Sequence, residues 1–323
     1  MKAIVRTKFG SPDVLSFEEI EQPPLTDDAV LVRVRASSVN PADWYGMTGT
    51  PLIARPTMGM RKPKARTMGV DFAGTVEAIG KDVTQFQIGE EVFGGRDGAF
   101  AEYVVVREER AIVPRPANVS PEHAASVGVA ALTALQGLRD KGKVLAGEKV
   151  LINGASGGVG TFAVQIAKWL GAEVTAVCST RNVEIVRSLG ADHVIDYTVD
   201  DFTRGEQRYD LLFDVAGSKG WSACRRVLTP KGKLVLVGAP KGTRLLGPVS
   251  HLMRLRFASI GSRRKVAFFV AKFEKADLAV LAELMATGKV TPVIDRTYQL
   301  SETADAMRYL GEGHAKGKIV ITV

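Results

Sequence analysis

Lys149-Val-Leu-Ile-Asn-Gly-Ala-Ser-Gly-Gly-Val-Gly-Thr-Phe-Ala-Val-Gln-Ile-Ala-Lys-Trp-Leu-Gly171 is the stretch that decides the fold of this chain. An apolar run of strand length, Val150 to Ile152, enters a glycine-rich turn, and an apolar-periodic helix follows. That order suits a pyrophosphate. The first amide N–H groups of a helix have no intrahelical partner, and the helix dipole favours an anion beside them. Ala155-Ser-Gly157-Gly-Val-Gly160 fits the dinucleotide fingerprint, with alanine in the first glycine slot. Gly157 would let the backbone approach the phosphates, and Gly160 would let the helix pack closely on its strand. Ala155, Ser156, Gly157, Gly158, Val159 and Gly160 are therefore candidate cofactor contacts. The same residues also spell Gly154-Ala-Ser156-Gly-Gly158, the nucleophile elbow of serine hydrolases.

The order of patterns along the chain weighs between these readings. Residues 1–115 read as β-rich: Lys2–Arg6, Ala29–Ala36 and Asp71–Ile79 alternate or are β-branched, with turns at Gly10-Ser-Pro12, Pro23-Pro24 and Gly94-Gly95. Short turns are expected near Pro41–Tyr45. Ser120-Pro121-Glu122 reads as an N-cap, a first-turn proline and an acid, opening a helix over His123–Val129. Strand and helix patterns then alternate: Val150–Ile152, a helix from Gly158, Glu173–Cys178, a helix from Asn182, Val194–Tyr197, Leu211–Val215 and Lys233–Val237. This rhythm predicts an α/β fold with a doubly wound parallel sheet. A helix over Asp277–Thr287 and a strand over Lys318–Val323 close the chain. In a hydrolase the elbow lies inside the alternating domain, whereas here the segment before it is β-rich. Asp305 and His314 follow in triad order, but one acid and one histidine are weak support. The dinucleotide reading is the better one.

Composition narrows the classes further. At 323 residues the chain is long enough for two domains. Its 46% hydrophobic and 24% charged residues match a soluble globular protein, and no run of about 18 apolar residues suggests a membrane span. Met1-Lys-Ala-Ile-Val-Arg6 lacks an apolar signal region, and the two cysteines, Cys178 and Cys224, make no disulfide framework. A cytoplasmic location is expected. The net charge of +8 is concentrated in two segments: Arg55, Arg61, Lys62, Lys64 and Arg66, and residues 244–275, where Glu274 is the single acid among basic residues. These read equally as solvated loops or as contacts for an anionic cofactor, substrate or membrane surface. Leu245–Phe273 mixes apolar residues with arginines without forming one continuous amphipathic pattern, so pocket-edge or dimer structure is the preferred reading over membrane contact. Nucleic acid is not an expected partner.

The second strand of the alternating region ends about 20 residues past the glycine turn, where an NAD enzyme places an acid for the ribose 2′-hydroxyl. Here the sequence reads Cys178-Ser179-Thr180-Arg181-Asn182, with no acid before Glu184. Ser179 and Thr180 can donate hydrogen bonds to a 2′-phosphate, and Arg181 can pair with it. NADPH is the expected cofactor.

With strands first and a dinucleotide region after, the chain resembles the medium-chain dehydrogenase/reductase superfamily over nearly its whole length. The resemblance rests on Asn40-Pro-Ala-Asp43-Trp-Tyr45, Gly69-Val-Asp-Phe-Ala-Gly74, Gly89-Glu-Glu-Val-Phe-Gly94, Gly98-Ala-Phe-Ala-Glu-Tyr103, Ala131-Leu-Thr133-Ala134, the glycine turn and Gly317-Lys-Ile-Val320. It implies a β-rich GroES-like domain over 1–118 and 289–323 and a Rossmann nucleotide-binding domain over 119–288. Zinc alcohol dehydrogenases of this superfamily carry a cysteine in the slot of Asn40 and Gly-His-Glu where this chain has Gly69-Val70-Asp71. The cysteine-rich structural zinc loop is missing as well, so no metal is expected. The zinc-free quinone oxidoreductase (zeta-crystallin-like) and enone reductase group fits best, with hydride passing to a quinone or to the C=C bond of an α,β-unsaturated carbonyl. That resemblance assigns Asn40 to polarising the carbonyl and Tyr45 to donating a hydrogen bond or proton, or to walling the pocket while solvent supplies the proton. It also implies that Thr133 lies near the nicotinamide and Tyr197 near the adenosine. Val215, Ala216 and Gly217, with Val237, Gly238 and Ala239, meet the cofactor beyond the carboxyl ends of later strands. A homodimer is what the resemblance implies. Alternatives are an enoyl-thioester reductase, or an NADPH-binding protein with a structural, RNA- or membrane-associated role.

Overall fold

The computed structural model describes residues 1–238 and 248–323. The leading strands are β1 (Lys2–Val5), β2 (Ser16–Glu19), β3 (Ala29–Val39), β4 (Asp71–Ile79), β5 (Glu91–Gly95), β6 (Tyr103–Arg107) and β7 (Ile112–Pro114). They are followed by β8 (Lys149–Asn153), β9 (Glu173–Cys178), β10 (His193–Asp196), β11 (Tyr209–Asp214), β12 (Leu228–Leu236) and β13 (Lys265–Phe268). The last two are β14 (Ile294–Gln299) and β15 (Lys318–Thr322). The chain forms two compact units, Met1–Leu132 with Lys272–Val323, and Thr133–Ala271.

The first unit is built on a seven-stranded sheet in the order β14-β15-β3-β4-β5-β7, with β6 also on β3. Val30, Val32, Val34, Phe72, Val76 and Val92 close its interior. The eleven residues of β3 sit between the final strand and β4: Val39 faces Ile319, and Ser38 faces both Val320 and Asp71. The end of β3 and the beginnings of β4 and β15 therefore meet at one end of the sheet. β3 then runs into a helix, Pro41–Thr48, where only short turns are expected from sequence. Asn40 is the N-cap, its backbone N–H is taken by Asp43 Oδ2 at 2.8 Å, Pro41 opens the first turn, and Gly49 closes the helix at φ 62°. That is a capping arrangement written in Asn40-Pro41-Ala42-Asp43.

The expected helix over His123–Val129 is instead two, Pro121–Ala125 and Gly128–Gln136. The break has a cause: Val129 N–H donates to Asp71 Oδ1 at 2.9 Å rather than to a helix carbonyl, and a Cβ on Gly128 would collide with that carboxylate. The same bond ties this stretch to the first unit, as Asn118 Nδ2 to the carbonyl of Ala286 ties the helix Lys275–Ala286. The units thus divide at 132/133 and 271/272 rather than at 118/119 and 288/289.

The second unit is a six-stranded sheet in the order β10-β9-β8-β11-β12-β13. Each neighbouring pair is parallel. Its central strands are buried on both faces, which is why they read as near-continuous apolar runs. Leu151, Leu212, Leu234 and Leu236 pack with Trp221 and Leu255. Each such side chain contributes roughly 1.5–3 kcal/mol by leaving water. The helix Gly158–Trp169 follows β8 directly, with Gly160, Phe162, Ala163, Val164, Ile166 and Ala167 buried. The segment 245–273, not legible as elements in the sequence, supplies the helix Pro248–Ala258 and the edge strand β13.

Candidate functional site

The glycine turn joins the carboxyl end of β8 to the helix Gly158–Trp169, with Gly154 at φ 85°. Gly160 is buried, and a Cβ there would run into the carbonyl of Gly154, so only glycine allows this approach of helix to strand. Gly157 is the helix N-cap at φ −85°, and a Cβ there would meet nothing nearer than the Gly154 oxygen at 3.7 Å. Space is thus left over the first turn, where unpartnered amides face outward, and a phosphate fits that space. Ala155 is buried, while Ser156, Gly157, Gly158 and Val159 are half-buried.

Asn182 was missed by the sequence reading. It is buried, and its Nδ2 donates to Ser156 Oγ at 3.0 Å and Ser179 Oγ at 3.2 Å. It thereby links the phosphate turn to the end of β9. Its Oδ1 is a buried acceptor without a hydrogen-bond partner, so the cradle retains unused polar capacity. Thr180 and Arg181 are exposed beside it, in a short turn capped by Ser179. The stretch is free of acids along the chain but not in space. Asp196, level with Cys178 on β10, is held below the usual carboxylate range by hydrogen bonds from the Thr180 and Thr198 hydroxyls. Thr198 N–H also donates to it at 2.9 Å, so it stays ionised within that turn. Tyr197 follows it and is 60% exposed.

At the carboxyl ends of β8 and β11 a second buried pair appears. Asp214 Oδ1 accepts from Asn153 Nδ2 and from Gly217 N–H, both at 2.8 Å, and fixes the Val215–Gly217 turn. Burial raises the Asp214 pKa, and its Oδ2 has no hydrogen-bond partner. A Cβ on Gly238 would strike the carbonyl of Val215, which brings these two expected contact segments together. Val215, Val237 and Gly238 are half-buried, Ala216 is exposed and Gly217 is buried. Ala239 lies outside the described residues. Thr133, half-buried in the Gly128–Gln136 helix, is where the second unit begins. The open cradle, the glycines and the orphaned polar atoms fit a dinucleotide.

The first unit carries a different cluster, set where three strands meet. Asn40, Asp43, Asp71, Ser38 and Lys318 are all buried. Asn40 Nδ2 donates to Asp71 Oδ2 at 2.9 Å and to the Ser38 carbonyl at 3.2 Å, while Asn40 Oδ1 accepts from Lys318 Nζ at 2.5 Å. Both amide hydrogens are therefore spent. In this arrangement the Asn40 side chain braces the cluster, and polarising or orienting an acceptor carbonyl would require it to release one of these bonds. Burial pushes the Asp43 carboxyl up to about 7, aided by the nearby Asp71 charge and opposed by the Asn40 N–H bond and by Lys318. Burial also lowers the Lys318 pKa, against the pull of Asp71 and Asp43. Tyr45, one turn along the helix that Asn40 caps, is half-buried, and burial raises the pKa of its hydroxyl. A separate cleft of about 870 Å³ in this unit is lined by Val70, Gly95, Arg96, Tyr103, Arg110 and Phe273 among others. Neither Asn40 nor Tyr45 lines it.

A β-rich unit and a parallel-sheet unit with a dinucleotide cradle are the combination found in oxidoreductases of the nicotinamide class. Comparison with known proteins makes the family explicit. The family described as "Alcohol dehydrogenase GroES-like domain" matches residues 26–117, and "Zinc-binding dehydrogenase" matches residues 189–321. The mouse NAD(P)H oxidoreductase RTN4IP1, mitochondrial, is 36% identical, over 100% of this chain and 89% of its own length. The tomato 2-methylene-furan-3-one reductase is 32% identical, over 99% of this chain and 79% of its own. The quinone oxidoreductase structure from Coxiella burnetii superposes with a TM-score of 0.86 at 30% identity, covering 100% of this chain and 99% of that one. The chain belongs to the medium-chain dehydrogenase/reductase superfamily.

The zinc in the second family's description does not fit the residues present here. An amide and an ammonium occupy the cluster around Asn40, and Val70 has no donor atom. Among the described residues, no group of three or more His, Cys, Asp or Glu side chains could hold a metal ion. Among the described residues, no helix is long and apolar enough to cross a membrane.

Proposed function

We propose that this protein is an NADPH-dependent, metal-independent oxidoreductase that passes hydride to a quinone or to the C=C bond of an α,β-unsaturated carbonyl. The observation that carries this reading is the Ser156–Asn182–Ser179 link, which ties the end of β9, with its hydroxyls and the exposed Arg181, to the phosphate turn. NADPH, when bound, supplies the hydride. The chain's part is to hold the pyrophosphate on the amides at Gly158–Gly160 and a 2′-phosphate on Ser179 and Arg181, with Thr180 joining only by releasing its bond to Asp196. Asn153 and Asp214 fix the Val215–Gly217 turn beside it. Tyr45 would donate a hydrogen bond to the oxygen on which charge develops. Its raised pKa keeps the phenol protonated, as a donor must be. The names of the tomato and Coxiella relatives, one an enone reductase and one a quinone oxidoreductase, support this acceptor class.

The test is NADPH oxidation followed at its nicotinamide absorbance with 9,10-phenanthrenequinone, alkyl enones, 2-alkenals and crotonyl-CoA as acceptors. Turnover of the quinone or the enones is expected. Turnover confined to crotonyl-CoA would move the protein to the thioester reductases, and tight NADPH binding without turnover would make it a binding protein. Arg181→Ala should raise the KM for NADPH by about tenfold, the loss of roughly one charge-assisted contact, and leave that for NADH unchanged. Equal effects on both would remove Arg181 from the cofactor site.

A further inference from the structure

Lys318 is 3% exposed, an uncommon setting for an ammonium. It opens β15, and the strand register brings it beside the end of β3, where Ile319 faces Val39. Its Nζ lies 2.5 Å from Asn40 Oδ1, 3.5 Å from the Val39 carbonyl and 3.6 Å from Asp71 Oδ2. These are three oxygens, one of them anionic, directed at a single buried nitrogen. Asp71 in turn is fully buried and saturated with donors: Val129 N–H on Oδ1, and Ser38 Oγ–H and Asn40 Nδ2–H on Oδ2. Such a carboxylate needs a counter-charge near it, because an unpaired buried ion costs far more than a paired one. Asn40, which the ammonium holds on its other side, is the N-cap of the helix bearing Tyr45.

We propose that the oxygen pocket formed by Asn40, Val39 and Asp71 is a site for a small primary ammonium ion, filled in cis by Lys318, and that Lys318 is thereby the positioning residue for the Pro41–Thr48 helix. The pocket's donors are hard neutral and anionic oxygens set to accept N–H bonds, so its ligand class is an alkylammonium. Lys318 acts on Tyr45 only through Asn40 and the helix cap. The positioning role rests on the reductase reading given above; the occupancy of the pocket does not.

Lys318→Ala removes three carbons and the nitrogen, a space matched by n-propylammonium. For the wild type, thermal stability should not respond to 50 mM n-propylammonium chloride beyond the effect of equal tetramethylammonium chloride, which has no N–H to donate. For Lys318→Ala, Tm should fall by about 10 °C, as expected for breaking a buried ion pair in a unit of this size. n-Propylammonium should restore most of that fall and tetramethylammonium none. Quinone turnover well below Tm should drop about tenfold and recover with n-propylammonium, while NADPH affinity stays unchanged. An alanine variant indifferent to n-propylammonium, or as stable as the wild type, overturns the proposal. If Lys318→Ala does not fold, the pair Lys318→Met and Lys318→Met with Asp71→Asn decides. Partial recovery of folding once both charges are gone supports the ion pair, and failure to recover overturns it. A wild type that reduces no acceptor would sink the reductase reading, with the Tm arm still deciding the pocket.

Discussion

Asp43 shows how one side chain can connect the fold's charge balance to pH. It is fully buried, it accepts the Asn40 N–H, and its carboxyl titrates at about 7 instead of 3.8. The sign follows from proton counts. Between about pH 4 and 7 the unfolded chain has released this proton while the folded chain keeps it, so stability falls as pH rises through that window and is fully present below it. The size, from the shift between the two values, is on the order of 4 kcal/mol over the whole window. Asp43→Asn keeps an oxygen for the Asn40 N–H and cannot ionise. Urea unfolding at pH 4.5, 6 and 7.5 should therefore show the variant gaining on the wild type with each step upward. A constant difference between the two proteins across that range would mean Asp43 is ionised throughout.

At the scale of elements, the turn and helix after β8 divide their work between two glycines three residues apart. Gly160 is a packing residue, since any Cβ would drive the helix off the Gly154 carbonyl. Gly157 has room for a Cβ within the protein and a φ that alanine adopts, so what it keeps open is the approach of a ligand. Gly160→Ala should cost about 1–3 kcal/mol of stability, as overpacking does, and weaken NADPH binding as well. Gly157→Ala should leave Tm within about 1 °C while raising the NADPH Kd by about tenfold or more. Calorimetry and fluorescence titration separate the two, and loss of stability in both variants would refute the division. These residues were legible in sequence because a glycine fingerprint between a strand and a helix states its own geometry. Asn182 and Asp214 were not. Their importance comes from hydrogen bonds that span 26 and 61 residues of chain, and single-sequence patterns carry no signal over such distances. The Pro41–Thr48 helix was legible and passed over: Asn40-Pro41-Ala42-Asp43 has the cap, the first-turn proline and the acid, but the apolar period that usually announces a helix is absent.

On the scale of the whole molecule, both ends of the chain belong to one unit, and the alternation of strands and helices in the middle gave the second unit its parallel order. The basic stretch 244–275 was the least legible part, because its helix exposes Met253 and Phe257 together with Arg254 and Arg256, which blurs the apolar period. Leu252 and Leu255 turn inward to the core, whereas Met253, Phe257 and Ile260 lie on the opposite stripe and are 49, 63 and 76% exposed. β13 beside them is the outer strand of its sheet, with Phe268 and Val270 exposed at and just beyond its end. A strand edge without a partner among the described residues, next to an apolar stripe of this kind, invites pairing with another copy. We therefore expect a homodimer in solution, joined through β13 and the Pro248–Ala258 helix. Light scattering of the wild type should give twice the chain mass. Phe257→Lys combined with Ile260→Lys should give the monomer mass, since both side chains are on the exposed stripe and neither supports the core. The double variant should keep its far-ultraviolet circular dichroism and its NADPH affinity. A wild type that is monomeric at micromolar concentration, or a double variant that remains dimeric, would place the contact elsewhere or remove it.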